Sequence, residues 1–230
     1  MGPASWHKEV MKDMINAGVN VFRVNFSHGD YETHRRTIRL VKELNEEFNC
    51  KTAVLADLQG PKLRIGDVED GAIINEGDVL TFTTNKVRGT AKLVYMNYQQ
   101  FPQDVNAGER ILLDDGKLMC EVLETNKKDT VITKVIQGGP LKSKKGVNLP
   151  NTKVSLPCLT KKDLEDVVVA MEEGVEWIGL SFVRDAADVQ ELRKVINDFG
   201  SFAKIVSKIE KPEAVVDIDN IIDATDAIMV

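Results

Sequence analysis

The sequence predicts an α/β fold: a partial (β/α)8 barrel with a small all-β domain inserted into it. Three observations carry that prediction. The chain opens with an α-β-α-β rhythm over residues 5–58. That rhythm gives way, between 66 and 155, to short alternating strands broken by turn signals. It resumes at 161 and continues as strand-helix units of about 25 residues. Alternation of this kind builds parallel sheets, and a run of strands inside it marks a separate β domain.

Each element follows from local pattern. Residues 5–17, SWHKEVMKDMINA, space Trp6, Val10, Met14 and Ala17 as a helix, and Gly18 is a fitting stop. VNVFRVNFSH (19–28) is a strand by its β-branched and aromatic content. A second amphipathic helix fits 31–48 through Ile38, Val41, Leu44 and Phe48, and TAVLADL (52–58) is a short buried strand. GAIINEGDVLTFTT, ERILLDDGKLMCEVLE and DTVITKVIQGG then alternate around Glu-Gly-Asp, Asp-Asp-Gly and Gly-Gly turns. From 161 the order is helix KKDLEDVVVAMEEG, strand 177–183, helix 185–199, strand 203–210, helix 211–223 and strand 226–230. The domains expected are 1–65 and 156–230, two parts of one barrel, flanking a β domain at 66–155.

A TIM barrel and a doubly wound sheet both use such units. Neither GxGxxG nor GxxxxGK[ST] occurs to favour the sheet. In VFRVNFSH, Phe22, Val24 and Phe26 point one way and Arg23, Asn25 and Ser27 the other. An apolar outer face and a polar inner face suit the mouth of a barrel.

Composition excludes several classes. A net charge of −6 argues against general nucleic-acid binding, which needs a basic footprint. No apolar run approaches the roughly 20 residues of a membrane span. The start, MGPASWHKEV, lacks the regions of a secretory signal. Cys50, Cys120 and Cys158 are far apart with no CxxC, so a reduced, cytoplasmic setting is expected.

Four strand ends carry polar groups: Arg23-x-Asn25-x-Ser27, Asp57, Ser181 and Lys208-x-Glu210. In a barrel these ends meet at one face, where active sites lie. Arg binds phosphate or carboxylate bidentately. A carboxylate with few other ligands suits Mg²⁺, and an adjacent lysine neutralises charge on a transferred phosphoryl group. Taken singly, each group has a plainer reading: a surface ion pair for Lys208 and Glu210, an edge strand for Arg23 to Ser27, a turn residue for Asp57. His28 reads as a site-edge histidine and His34 as a helix-surface one, since no third ligand joins them.

The stretches MGPAS, VFRVNFSHGDYETH, ADLQGPKLRIG, KKGVNLP, GLSFVRDAADV, IVSKIEKPEA and DAIMV resemble the pyruvate kinase family, in order and with matching spacing, over all 230 residues. The resemblance implies a (β/α)8 barrel with a small β domain capping the active site. It implies transfer of the phosphoryl group of phosphoenolpyruvate to ADP, giving ATP and pyruvate in glycolysis. Mg²⁺ (or Mn²⁺) and usually K⁺ are the family's cofactors, and full-length members are typically homotetramers. By resemblance Arg23 contacts the phosphoryl group, Lys208 is the catalytic lysine and Glu210 a Mg²⁺ ligand. Asn25, His28, Arg64 and Lys145 match nucleotide-site positions. Asn25, Ser27, Asp57 and the carbonyl of Leu58 match the monovalent-cation site.

Two departures stand out. K⁺-dependent members commonly carry Thr-Lys after the aspartate and GPEIR further on. This chain has Leu58-Gln59 and GPKLR. Lys62 therefore stands in place of a glutamate, and the expectation is that its ammonium replaces K⁺. The second departure is extent: the sequence ends at DAIMV, where the family continues into an Arg-Gly-Asp-Leu-Gly segment with a second metal ligand. The reading is of a partial chain, inactive or nearly so alone. Two alternatives are a Mg²⁺-dependent lyase or aldolase on a phosphoenolpyruvate-type barrel, against which KKGVNLP argues, and a non-catalytic truncated product.

Overall fold

The computed structural model describes residues 1–230. The chain opens with α1 (Lys8–Asn16), β1 (Val21–Asn25), α2 (Tyr31–Phe48) and β2 (Ala53–Asp57). A β-rich stretch follows: β3 (Ile73–Ile74), β4 (Val79–Thr83), β5 (Leu93–Tyr95), the short α3 (Phe101–Asp104), β6 (Arg110–Leu113), β7 (Leu118–Thr125), β8 (Thr130–Gln137), β9 (Gly139–Pro140) and β10 (Val147–Asn148). Then come α4 (Lys161–Glu172), β11 (Trp177–Leu180), α5 (Ala186–Phe199), β12 (Lys204–Lys208), α6 (Pro212–Val216), α7 (Ile218–Ala224) and β13 (Ala227–Met229). No helix is long and apolar enough to cross a membrane.

Two compact units divide these elements: Met1–Pro61 with Pro157–Val230, and Lys62–Leu156. In the first, five parallel strands form one sheet in the order β1-β2-β11-β12-β13. This is part of a (β/α)8 barrel, which closes only with eight strands. The register pairs Asn25 with Asp57 and Asp57 with Gly179, so the carboxyl ends of neighbouring strands fall level. Alternation on β1 is as the sequence predicts. Phe22, Val24 and Phe26 are buried with Ile38, Val41 and Leu44 of α2, while Arg23 is exposed on the opposite face.

The helices of this unit have recognisable ends. Asp30 accepts from the Thr33 N–H at the start of α2, and Asn49 closes it in the left-handed conformation at φ 48°. Thr160 and Asp163 form a capping box on α4. Asp185 caps α5, and Gly200, at φ 77°, ends it. The helix expected over 211–223 is instead two, α6 and α7, broken at Asp217. The Asp217 carboxylate accepts from the Ala186 N–H at 3.0 Å and from Asn220 Nδ2 at 2.5 Å. A side chain committed to α5 and to its own following turn competes with helix continuation.

The second unit has its own core. A six-stranded sheet runs in the order β10-β6-β7-β8-β4-β5, antiparallel except for β4 with β5, and β3 pairs with β9. Phe82 and Phe101 meet edge-on at 5.7 Å inside it. The switch between units falls at Pro61/Lys62, ahead of the composition change at 66.

Candidate active site

In the first unit the carboxyl ends of β1, β2, β11 and β12 bring together Arg23, Asp57, Ser181, Lys208 and Glu210. Asp57 is the centre. Its side chain is only 3% exposed and holds two cations. Arg23 donates from Nε to Oδ2 at 2.7 Å and from Nη2 to the same oxygen. The Lys208 ammonium lies 3.3 Å from Oδ1, an ion pair by distance that is not aligned as a hydrogen bond. Oδ1 is thus buried without a donor pointed at it.

Lys208 is held from three sides. Besides Asp57, its Nζ donates to Ser181 Oγ at 2.9 Å and lies 3.3 Å from Glu210 Oε1. Ser181 is fixed in turn, since its hydroxyl donates to the Leu58 carbonyl at 2.6 Å. The backbone prepares this packing. β11 approaches β2 closely at Gly179, where an added Cβ would sit 3.2 Å from Asp57 Oδ1. Gly60, at φ 67°, passes so near that an added Cβ would meet the Phe182 ring at 2.8 Å.

Glu210 has one committed oxygen and one facing the cations. Its Oε2 accepts from the Phe182 N–H at 3.0 Å. Phe182 reaches that position only by adopting the left-handed conformation, φ 58°, which is costly for an aromatic residue. The Lys211 ammonium sits over the Phe182 ring at 6.0 Å, and burial lowers its pKa.

The remaining predicted residues divide between the units. Asn25 closes the turn after β1, its Oδ1 accepting from the Ser27 N–H at 2.9 Å, and His28 is exposed in that turn. His34 is not on the helix surface as expected: it is 7% exposed and stacks on Phe26 with ring centroids 4.4 Å apart. Arg64 and Lys145 belong to the second unit. Arg64 Nη1 donates to the Lys144 carbonyl at 2.6 Å. Lys145 pairs with Asp114 at 2.8 Å and, through that hydrogen bond, lowers the Asp114 pKa. Lys62 opens this unit.

Two groups were implied by resemblance, and the donor set bears on both. Glu210 offers one carboxylate oxygen to a divalent ion, and no set of three His, Cys, Asp or Glu side chains comes together. Glu210 therefore fits Mg²⁺ as one ligand among waters and substrate oxygens. A monovalent cation fits less well. The Leu58 carbonyl already accepts from Ser181, and Arg23 and Lys208 already neutralise Asp57.

Two cations and two carboxylates thus gather at the carboxyl ends of the parallel strands. The model of the pyruvate kinase barrel domain matches residues 1–230, and the chain belongs to the pyruvate kinase family. It is 40% identical over 235 residues to pyruvate kinase 2 of Synechocystis sp. and 40% identical over 233 to the pyruvate kinase of Geobacillus stearothermophilus. It is 41% identical over 236 residues to that of Buchnera aphidicola subsp. Baizongia pistaciae. Each match covers 100% of this chain but 40%, 40% and 49% of the relative, so the chain spans less than half their length. The family expected from the sequence is confirmed.

Proposed function

We propose that this site serves phosphoryl transfer from phosphoenolpyruvate to ADP, giving ATP and pyruvate. The observation that carries the reading is the Lys208 ammonium, fixed among Ser181, Asp57 and Glu210 beside the Arg23 guanidinium. Arg23 and Lys208 hold the substrate phosphoryl group, and Lys208 also stabilises the enolate oxygen as the phosphoryl leaves. Asp57 and Ser181 orient the two cations before substrate arrives, so little reorganisation remains for the transition state. Mg²⁺ on Glu210 supplies Lewis-acid polarisation of substrate oxygens when bound. By resemblance, Asn25 and His28 of the first unit match nucleotide positions of the family, and so do Arg64 and Lys145 of the second. The reaction is glycolytic and cytoplasmic, acting on small anions rather than nucleic acid or membrane.

With Glu210 as the carboxylate offered to the ion, Mg²⁺ is held weakly by this site. No monovalent cation is required, because Arg23 and Lys208 already compensate Asp57. The test is ATP formation from phosphoenolpyruvate and MgADP, comparing the protein with Lys208→Met. The expected result is a slow rate above background that the variant loses. Binding of ADP with no ATP formation would mean a non-catalytic protein.

A further inference from the structure

Behind the turn that follows β1 lies an ionic cluster around one buried carboxylate, which the proposed chemistry does not use. Asp166 of α4 has a side chain with 0% exposure, yet both its oxygens are satisfied. The Tyr31 hydroxyl donates to Oδ1 at 2.9 Å, and Lys162 Nζ donates to Oδ2 at 2.5 Å. Lys162 then donates to the backbone carbonyl of Phe26 at 2.9 Å, a contact spanning 136 residues of sequence. Phe26 is the first residue past the end of β1, where the chain leaves the sheet.

The N–H of the same residue is also held. The Phe26 N–H donates to the Asp57 carbonyl at 2.9 Å. The Phe26 ring stacks on His34 at 4.4 Å, and His34 closes over Gly29, where an added Cβ would lie 3.1 Å from its Cε1. Gly29, at φ 86°, makes the turn that feeds α2. Between Phe26 and Gly29 sit Ser27 and His28, and Asn25 immediately precedes Phe26.

Asp166 is fully buried, whereas its partner Lys162 is 46% exposed. A buried carboxylate is costly, and an apolar residue in its place would avoid that cost. What an apolar replacement cannot supply is a donor aimed at one carbonyl. We propose that Lys162, oriented by Asp166 and Tyr31, is a positioning residue that sets the β1–α2 turn and thereby Asn25 and His28, the groups proposed to face the nucleotide. This rests on the phosphotransferase reading for the ligand, but not for the geometry.

The test uses Lys162→Met, Lys162→Arg and the milder Tyr31→Phe, which removes one hydrogen bond and keeps the packing. Two readouts are taken on the same protein: amide hydrogen exchange at residues 26–29, and calorimetric affinity for MgADP and for phosphoenolpyruvate. The expected result for Lys162→Met is exchange at least tenfold faster in the turn. MgADP affinity falls about tenfold and phosphoenolpyruvate affinity less than twofold. Lys162→Arg recovers most of both losses, and Tyr31→Phe shows a smaller change in the same direction. A merely structural role would weaken both ligands together. Unchanged exchange in Lys162→Met, or equal weakening of both ligands, overturns the proposal. If the unmodified protein fails to bind MgADP, the phosphotransferase reading falls, and the exchange measurement still decides the role of Lys162. Should Lys162→Met fail to fold, Tyr31→Phe decides: unchanged exchange there overturns the proposal.

Discussion

Asp57 accepts from the Arg23 guanidinium and faces the Lys208 ammonium in a position almost closed to water. Asp57→Asn keeps the shape and removes the charge, leaving two cations without their shared partner. Hydrogen bonds to charged groups contribute about 2 kcal/mol, so a stability loss of about that size is expected in urea denaturation. In the proposed function Lys208→Met removes a charge-assisted contact to substrate, and phosphoenolpyruvate affinity should fall roughly 10- to 100-fold. Exchange of K⁺ for tetramethylammonium at constant ionic strength should leave substrate affinity within about twofold; a collapse would restore the monovalent-cation role to Asp57. At this scale the polar face of β1 was legible, because alternation alone puts Arg23 and Asn25 opposite Phe22 and Val24. The left-handed backbone of Phe182 was not, since no composition signal marks a bulky residue held there by its surroundings. His34 was misplaced to the helix surface because its partner, Phe26, lies beyond the helix itself.

Helix α4 is held at both ends by groups whose loss should differ in size. Thr160→Ala removes one cap and should cost about 1 kcal/mol. Asp163→Ala should cost about twice that, because the same carboxylate that caps α4 also accepts from the buried Gly60 N–H at 3.0 Å. Thermal or urea denaturation of the two variants checks the order. At the other end Glu173 accepts from Arg39 and Arg35 of α2. The Arg39 hydrogen bond, aided by Arg35, holds the Glu173 carboxyl below its ordinary value of 4.5 despite burial. A depressed folded value stabilises the protein above pH 4.5, and that contribution is lost as pH falls through the depressed value. The stability gap between the protein and Glu173→Gln should therefore be full at pH 6 and shrink steadily below 4.5. Caps and periodicity made most helix limits readable, with 31–48 matching α2. The break at Asp217 was hidden because its cause is the Ala186 N–H, 31 residues away in sequence.

The whole chain is two cores rather than one. The Lys62–Leu156 unit buries its own cluster, including Phe82, Phe101, Ile111 and Val131, without residues of the barrel unit. Expressed alone, residues 62–156 should give a β-type circular dichroism spectrum and a single cooperative urea transition. The insertion was visible because the hydrophobic period changes from helical to alternating and back. Its starting point was less so, since Pro61 and Lys62 carry no change of period. In the proposed function the Arg23–Asp57–Lys208 cluster receives the phosphoryl group of phosphoenolpyruvate. Calorimetric titration of phosphoenolpyruvate into the protein with excess Mg²⁺, beside Arg23→Met and Lys208→Met, tests it most directly. Saturable binding at one site, weakened at least tenfold in each variant, is the expected result. No binding to the unmodified protein, or affinity unchanged in both variants, would contradict it.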